Sequence, residues 1–437
     1  MRKYIIIPAI TLFLFFVACT GLCADEQSFS ISRNVEYDNY PVRVAVNTDT
    51  GDILVVWLNI KTADNKRLYA ALCKLSKSGK FKVRKARMLS GTESFIWNFD
   101  IAYNPLDKSY MGVCDAYEDG YNTPMNLWSL KLDSKGKPVG QPIQLTPTGT
   151  SFLCPAITFV PGIPATPPSA KGNFLIAYDR PAKKLESDQP GVYTRFLDHN
   201  GNLTASVPQF VSQEINWQGV ESFGSLPQEL ISLEGGGFVL ALRKKNDNGN
   251  GSGFLLRLGP FGQAIKQVEL GDYISMQVEF IQLSNKICVL SWDDLGSFGG
   301  PGYQLPWWNE GECYNQLYRP SLKKVRKFFY PLGDDKAYIT ELVKLNDDPG
   351  GYQLASDGQF LLGRYINQKG KLGPKTTSLF DHQNMLYMMD AACLPGGNRV
   401  FVAWVEKGDA LGVGGRAGNA DYHSEVKGLV FDAVPQD

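Results

Sequence analysis

Residues 99–117 and 128–146 constrain the fold more than any other part of the chain. Together they spell three runs in which apolar and polar residues alternate, joined by tight turns, with a fourth run after Lys137-Pro138-Val139-Gly140. Alternation of period two marks half-buried strands, and hairpin-length connections make consecutive strands antiparallel neighbours. Four such strands in succession form one blade of a β-propeller.

The unit returns along the chain. Naming the strands a to d from the axis outward, blade one places a at 42–46, b at 53–57, c at 68–75 and d at 86–89; blade two ends near Thr150. Blade three has a at 155–159, b at 174–178 and c at 191–197. Blade four has b at 237–242 and c at 253–258, and blade five a at 277–282, b at 286–292 and c at 314–318. Blade six offers a at 340–344, a weak b at 352–355 and c at 360–366. Blade seven offers a at 390–394, b at 399–404 and c at 426–431, with no fourth strand after it. Phe29-Ser30-Ile31-Ser32 stands where a fourth strand should stand relative to the next strand a. The expectation is an all-β chain: a seven-bladed β-propeller of four-stranded antiparallel blades, closed by an N-terminal strand that completes the last blade and removes the open edge.

The phrase Leu132-Asp133-Ser134-Lys135-Gly136-Lys137-Pro138-Val139-Gly140, preceded by Ala102-Tyr103-Asn104-Pro105, resembles the LDxxGxPxG-type repeat of secreted bacterial seven-bladed propellers of unassigned function. Weaker copies lie at 75–80, 197–203 and 366–373. The resemblance covers nearly all of the chain after the leader and implies fold only. These turns are not the sialidase Asp-box, which wants Ser-x-Asp-x-Gly and then an aromatic residue.

Arg2 and Lys3 precede an apolar run that ends near Cys19, so residues 1–24 read as a secretory signal peptide and 25–437 as one propeller domain. The protein is then exported, periplasmic or extracellular. It is either free, after cleavage near Ala24, or lipid-anchored through Cys19, and has no membrane span once the signal is removed. Forty-four Lys and Arg balance 44 Asp and Glu, so no overall field favours nucleic acid as a partner. Of the six later cysteines, those inside strands read as small apolar residues, and Cys288 and Cys313 are the candidate disulfide because they share a blade.

In such a meander the a–b and c–d turns share one rim of the ring, and the b–c and d–a connections share the other. The long connections gather on the second rim, at 179–190, 213–227, 244–253, 293–313 and 407–425; the proline-rich a–b loop at 161–172 is the exception. Long loops on a short-turned scaffold mark a contact face. That face also collects Trp97, Trp217, Trp307 and Trp308, and Asp119, Asp179, Asp293, Asp294 and Glu406, which are the candidate ligand- or partner-binding residues. Rings give flat apolar contact and carboxylates accept hydrogen bonds, which suits a glycan or a protein partner.

Catalytic chemistry is thin. Asp293 and Asp294 are adjacent in a strand and so point to opposite faces, while Glu310 and Glu312 sit in the insertion. Two or three buried carboxylates converging on an axial pocket would favour the enzyme reading. His199, His382 and His423 are the only histidines; His199 lies in a c–d turn on the rim opposite His423, so no shared metal site is expected. No cofactor is expected, with a structural calcium ion at 246–251 the one ion left open; that loop lacks the later bidentate Glu of calcium loops. The functional expectation is a non-catalytic binding or scaffold propeller, a protein-interaction subunit of an envelope or extracellular complex working through the b–c rim. The alternative is a carbohydrate-binding module or a glycosidase or lyase acting on polysaccharide.

Overall fold

A computed structural model describes residues 28–433 outside the segments 34–37, 63–64, 77–80, 91–94, 118–123, 148–150, 152, 163–170, 181–188, 190, 205–206, 213–228, 246–250, 273–277, 295–311, 326–338, 347–349, 357–359, 374–378, 382–384 and 408–423. The signal-peptide reading, Cys19, and the sites assigned to Asp119, Trp217, Trp307 and Trp308 lie outside the described residues, as do His382, His423 and the calcium-like loop at 246–250.

Every described element is a strand. Blade one comprises β2 (Asp38–Val46), β3 (Ile53–Thr62), β4 (Asn65–Leu75) and a broken outer strand, β5 (Phe81–Val83) and β6 (Arg87–Met88). Blade two is β7 (Phe95–Asn104), β8 (Ser109–Tyr117), β9 (Met125–Leu132) and β10 (Ile143–Gln144). Blade three is β11 (Leu153–Val160), β12 (Asn173–Arg180), β13 (Gly191–Asp198) and β14 (Gln209–Ser212). Blade four is β15 (Glu229–Ser232), β16 (Phe238–Lys245), β17 (Gly251–Leu258) and β18 (Ala264–Asp272). Blade five shows β19 (Val278–Gln282), β20 (Cys288–Asp294) and β21 (Glu312–Tyr318) among the described residues. Blade six is β22 (Ile339–Lys344), β23 (Gly350–Ser356), β24 (Phe360–Asn367) and β25 (Phe380–Asp381). Blade seven is β26 (Met385–Cys393), β27 (Arg399–Lys407) and β28 (Ser424–Asp432), completed by β1 (Phe29–Ser30).

The pairing order β1-β28-β27-β26 shows the clasp directly. Ile31 N–H donates to the Val426 carbonyl at 2.8 Å, Val426 N–H donates to Ser32 Oγ at 2.9 Å, and the Ile31 side chain is buried. Phe29 stacks on Phe81 of blade one with ring centroids 5.4 Å apart, and both rings meet Phe401. The first described strand therefore joins the last blade to the first. The innermost strands touch in the closed order β2, β7, β11, β15, β19, β22, β26 and back to β2. The chain is a seven-bladed β-propeller.

Blades hold one another through their turns as well as through apolar faces such as that of Leu54, Val56, Phe99, Tyr110 and Leu130. In blade two, Asp133 Oδ1 accepts the N–H groups of Lys135 and Lys137, and Gly136 adopts φ 68°. The same turn recurs at Asp198–Asn202 and Asn367–Lys371. Its glycine rests on the preceding blade, with Ser129 Oγ donating to the Gly201 carbonyl and Thr194 Oγ1 to that of Gly262, each at 2.8 Å. In blade five Leu322 takes the left-handed conformation at the equivalent place, φ 58°, where the sequence offers no glycine. Asn104 does the same work on the a–b rim: its Oδ1 accepts from Leu106 and Asp107, and its amide donates to the Lys171 carbonyl of blade three.

Three expectations need correction. Cys288 is a free thiol, and the register sets it against Tyr318 while Cys313 faces Asp293 at the other end of the hairpin, so the pair is not a disulfide. The supposed insertion at 244–253 is ladder at both ends, where Lys244 pairs with Ser252 and Lys245 with Gly251. Glu312 opens β21 opposite Asp294 and is not in a loop.

Candidate functional site

The ring brings one strand position together seven times. Strand a ends where a backbone N–H donates across the a–b turn: Asn47 to Asp52, Leu233 to Gly237, Leu283 to Ile287, Leu345 to Gly350 and Leu394 to Arg399. Four residues before each donor stand Arg43, Glu229, Glu279, Glu341 and Asp390. The same count back from Asn104 in blade two gives Asp100, and back from Pro161 in blade three gives Ile157. Six of the seven equivalent positions on the innermost strands are therefore charged, five of them carboxylic.

These side chains share one central space. Arg43 on blade one feels Asp390 and Asp100 on the flanking blades, and also Glu279 and Glu229 on the far side of the ring. Arg43 Nε lies 3.9 Å from Asp100 Oδ1, and each of the two side chains is 17% exposed. Glu229 and Asp390 are likewise half-buried, whereas Glu279 and Glu341 are buried. The bulges at the start of the inner strands, between Asn39 and Val42, Ile96 and Phe99, Leu153 and Ala156, and Leu386 and Met388, stand just before this ring in four blades. Bulges re-aim side chains at sheet edges.

Two of the carboxylates also tie blades together. Asp100 Oδ2 accepts the Ile157 N–H of blade three at 2.8 Å, while its Oδ1 accepts Ile101 N–H. Asp390 Oδ2 accepts the Val44 N–H of blade one at 2.7 Å, across the junction where the ring closes.

Electrostatics follow from five carboxyls and one guanidinium crowded at low exposure. Burial pushes the Asp390 carboxyl up to about 6, although Arg43 and the Val44 N–H pull it back. Burial and then the neighbouring carboxylates, Glu279 first, hold Glu229 and Glu341 well above the usual carboxylate range. Asp100 is raised by burial against the opposing pull of Arg43. For Arg43 burial works against the charge, but the surrounding carboxylates outweigh it and keep the guanidinium protonated. Burial is the first cause throughout, and repulsion between like charges adds to it at Glu229, Glu341 and Asp390.

A further buried carboxyl, Asp115, lies off the ring on β8. Asp115 accepts Asn98 N–H at 2.6 Å, the Asn98 amide at 3.1 Å and Cys154 N–H at 2.8 Å, joining the bulges of blades two and three. Burial raises it to about 6 despite those donors. Between blades five and six, Ser291, Thr340, Gln353 and Asn315 form a fully buried hydrogen-bonded row behind Glu279 and Glu341.

The residues singled out on the b–c rim fare differently. Trp97 is covered on one face by Lys66, whose Nζ sits 3.1 Å from the ring centroid, and is met edge-on by Tyr117. Asp179 is buried at the outer end of β12, and Glu406 is buried in an ion pair with Lys427 at 2.9 Å. Asp293 and Asp294 are ladder residues of β20. The axial ring escaped the sequence reading, yet a signal exists: an acidic residue recurs four before the a–b turn in DIAYN, ELISL, EFIQL, ELVKL and DAACL.

Among the described residues no group of three or more His, Cys, Asp or Glu is placed to hold a metal ion. No described helix is long and apolar enough to cross a membrane. No protein-family model matches the chain, and no curated protein does. Among solved structures 377 chains match it. One is described as "Structure of Dos1 propeller"; it is 11% identical over 92% of this chain and 94% of that one, with a TM-score of 0.42.

Proposed function

We propose that this propeller is a non-catalytic binding module of an exported complex, and that it receives a cationic group of its partner in the acidic mouth of the axial channel. The observation that supports this reading is the charge count of the ring: five carboxyls against one guanidinium, at equivalent positions around a solvent-reached axis. A low-dielectric wall focuses such a field, so an ammonium or guanidinium group gains more there than at the surface.

The test is calorimetric titration of a tri-arginine peptide and of spermidine into the full-length protein. Binding is expected to weaken with salt and to fall at least tenfold in a Glu229→Gln, Glu341→Gln variant that remains folded at the temperature of the titration. Absence of binding to the wild type, or undiminished binding to the variant, would sink the reading.

One observation favours a second reading, an enzyme acting on polysaccharide. Asp390, at about 6, and Glu229, raised by burial, can hold protons near neutrality, as a general acid must. Release of reducing ends from oligosaccharides, abolished by Glu229→Gln, would establish it; no release from a panel of neutral and acidic glycans would exclude it.

A further inference from the structure

We propose that the axial ring makes the closure of the propeller proton-linked, so that the seven innermost strands are held most firmly when the ring carries shared protons and loosen as it ionises. This inference concerns the unliganded fold and does not depend on the binding role.

The geometry carries it in two ways. Six of the seven strands packed around the axis contribute a charged group at the same position, and the groups facing one another there are Arg43 of β2, Asp100 of β7, Glu229 of β15, Glu279 of β19, Glu341 of β22 and Asp390 of β26, while Ile157 of β11 packs its side chain into the apolar core with Met111 and Phe174. Full ionisation leaves four negative charges in excess, five minus one, inside a closed ring that cannot expand without separating blades. Separately, Asp390 and Asp100 are themselves inter-blade contacts through Val44 and Ile157. Repulsion at the axis therefore acts on the bonds that join blade seven to one and blade two to three.

The direction of the linkage is fixed by the sense of the shifts. Asp390, Asp100, Glu229 and Glu341 are all raised in the folded protein, so the native state holds protons that the unfolded chain has released. A raised carboxyl contributes stability that is fully present below its unfolded value, near 4, and is lost as pH rises through its folded value, about 6 for Asp390. Asp115 has the same sign but lies off the axis, and Asp107, drawn down by Lys131 and Ser109 against its burial, has the opposite sign. Both are common to every protein compared below, so they cancel.

The experiment is thermal unfolding of the full chain without ligand between about pH 5 and pH 7.5, for the wild type and for Glu229→Gln, Glu341→Gln, in which neutral amides replace two of the titrating groups. Each retained proton raises the unfolding constant about tenfold per pH unit, which for a chain of this size moves the midpoint by about 1–2 °C. The wild type should therefore lose several degrees more than the variant over the range. An equal pH slope in both proteins, or a wild-type midpoint that rises with pH relative to the variant, would overturn the proposal. Should the variant not fold, infrared spectroscopy of the native wild type decides: carboxylic-acid carbonyl absorption persisting at about pH 6 and vanishing on unfolding is expected. Its absence from the native protein would overturn the proposal equally.

Discussion

Replacing Arg43 by Met removes the ring's only cation while keeping a long side chain to fill the space. The Arg43–Asp100 approach of 3.9 Å is worth about 4 kcal/mol at an effective dielectric of about 20, and both groups keep a little solvent contact, which trims that figure. Loss of the guanidinium also relieves its own burial penalty, the first of the influences acting on it. A net loss of about 2–3 kcal/mol is expected at about pH 8, where the carboxylates beside it stay charged and lose their partner. At about pH 5 those carboxyls, led by Asp390 at about 6, neutralise themselves by protonation instead, and the loss shrinks to about 1 kcal/mol. Urea unfolding followed by tryptophan fluorescence reads this directly, because Trp57 and Trp404 are fully buried. Equal losses at the two pH values, or none at either, would refute the electrostatic account of the ring.

Further outcomes test the scaffold. Ile31→Ala should cost about 2–4 kcal/mol, since this buried side chain anchors the strand that closes the ring; a melt unchanged from wild type would contradict the clasp. Gly201→Ala should cost about 3 kcal/mol: its φ of 89° is strained for alanine and its Cβ would meet Ser129 Oγ at 2.7 Å. Gly140→Ala, with φ 80° and nothing within 4 Å, should cost only about 1 kcal/mol, and equality of the two in denaturant titrations would remove the inter-blade role of the turn. Reductant should leave the melting temperature unchanged, because Cys73, Cys114 and Cys288 are free thiols; a drop would contradict their assignment.

How much of this was legible in the sequence depends on the range of the interaction. The strands and turns were readable because their signals are local: alternation sets the strand, and Asp133 with Gly136 sets the turn by hydrogen bonds within four residues. Blade six was harder, since β23 begins Gly350-Gly351, residues of poor strand propensity. They are admitted there because a Cβ at Gly351 would strike Ile281 and Leu283 of the neighbouring blade. The clasp was legible because one strand was missing at one end and spare at the other. The axial ring was not, because every blade but the third contributes a single charged residue and these lie about 50 or more positions apart in the chain. Only closure makes neighbours of them.

The most direct measurement is diffraction from crystals of the full-length protein grown with the tri-arginine peptide. Density for a guanidinium group within hydrogen-bond distance of Glu229, Glu279 or Glu341 is the expected result. Peptide density confined to the outer rim, with the axial carboxyls untouched, would contradict the assignment of the site to the axis.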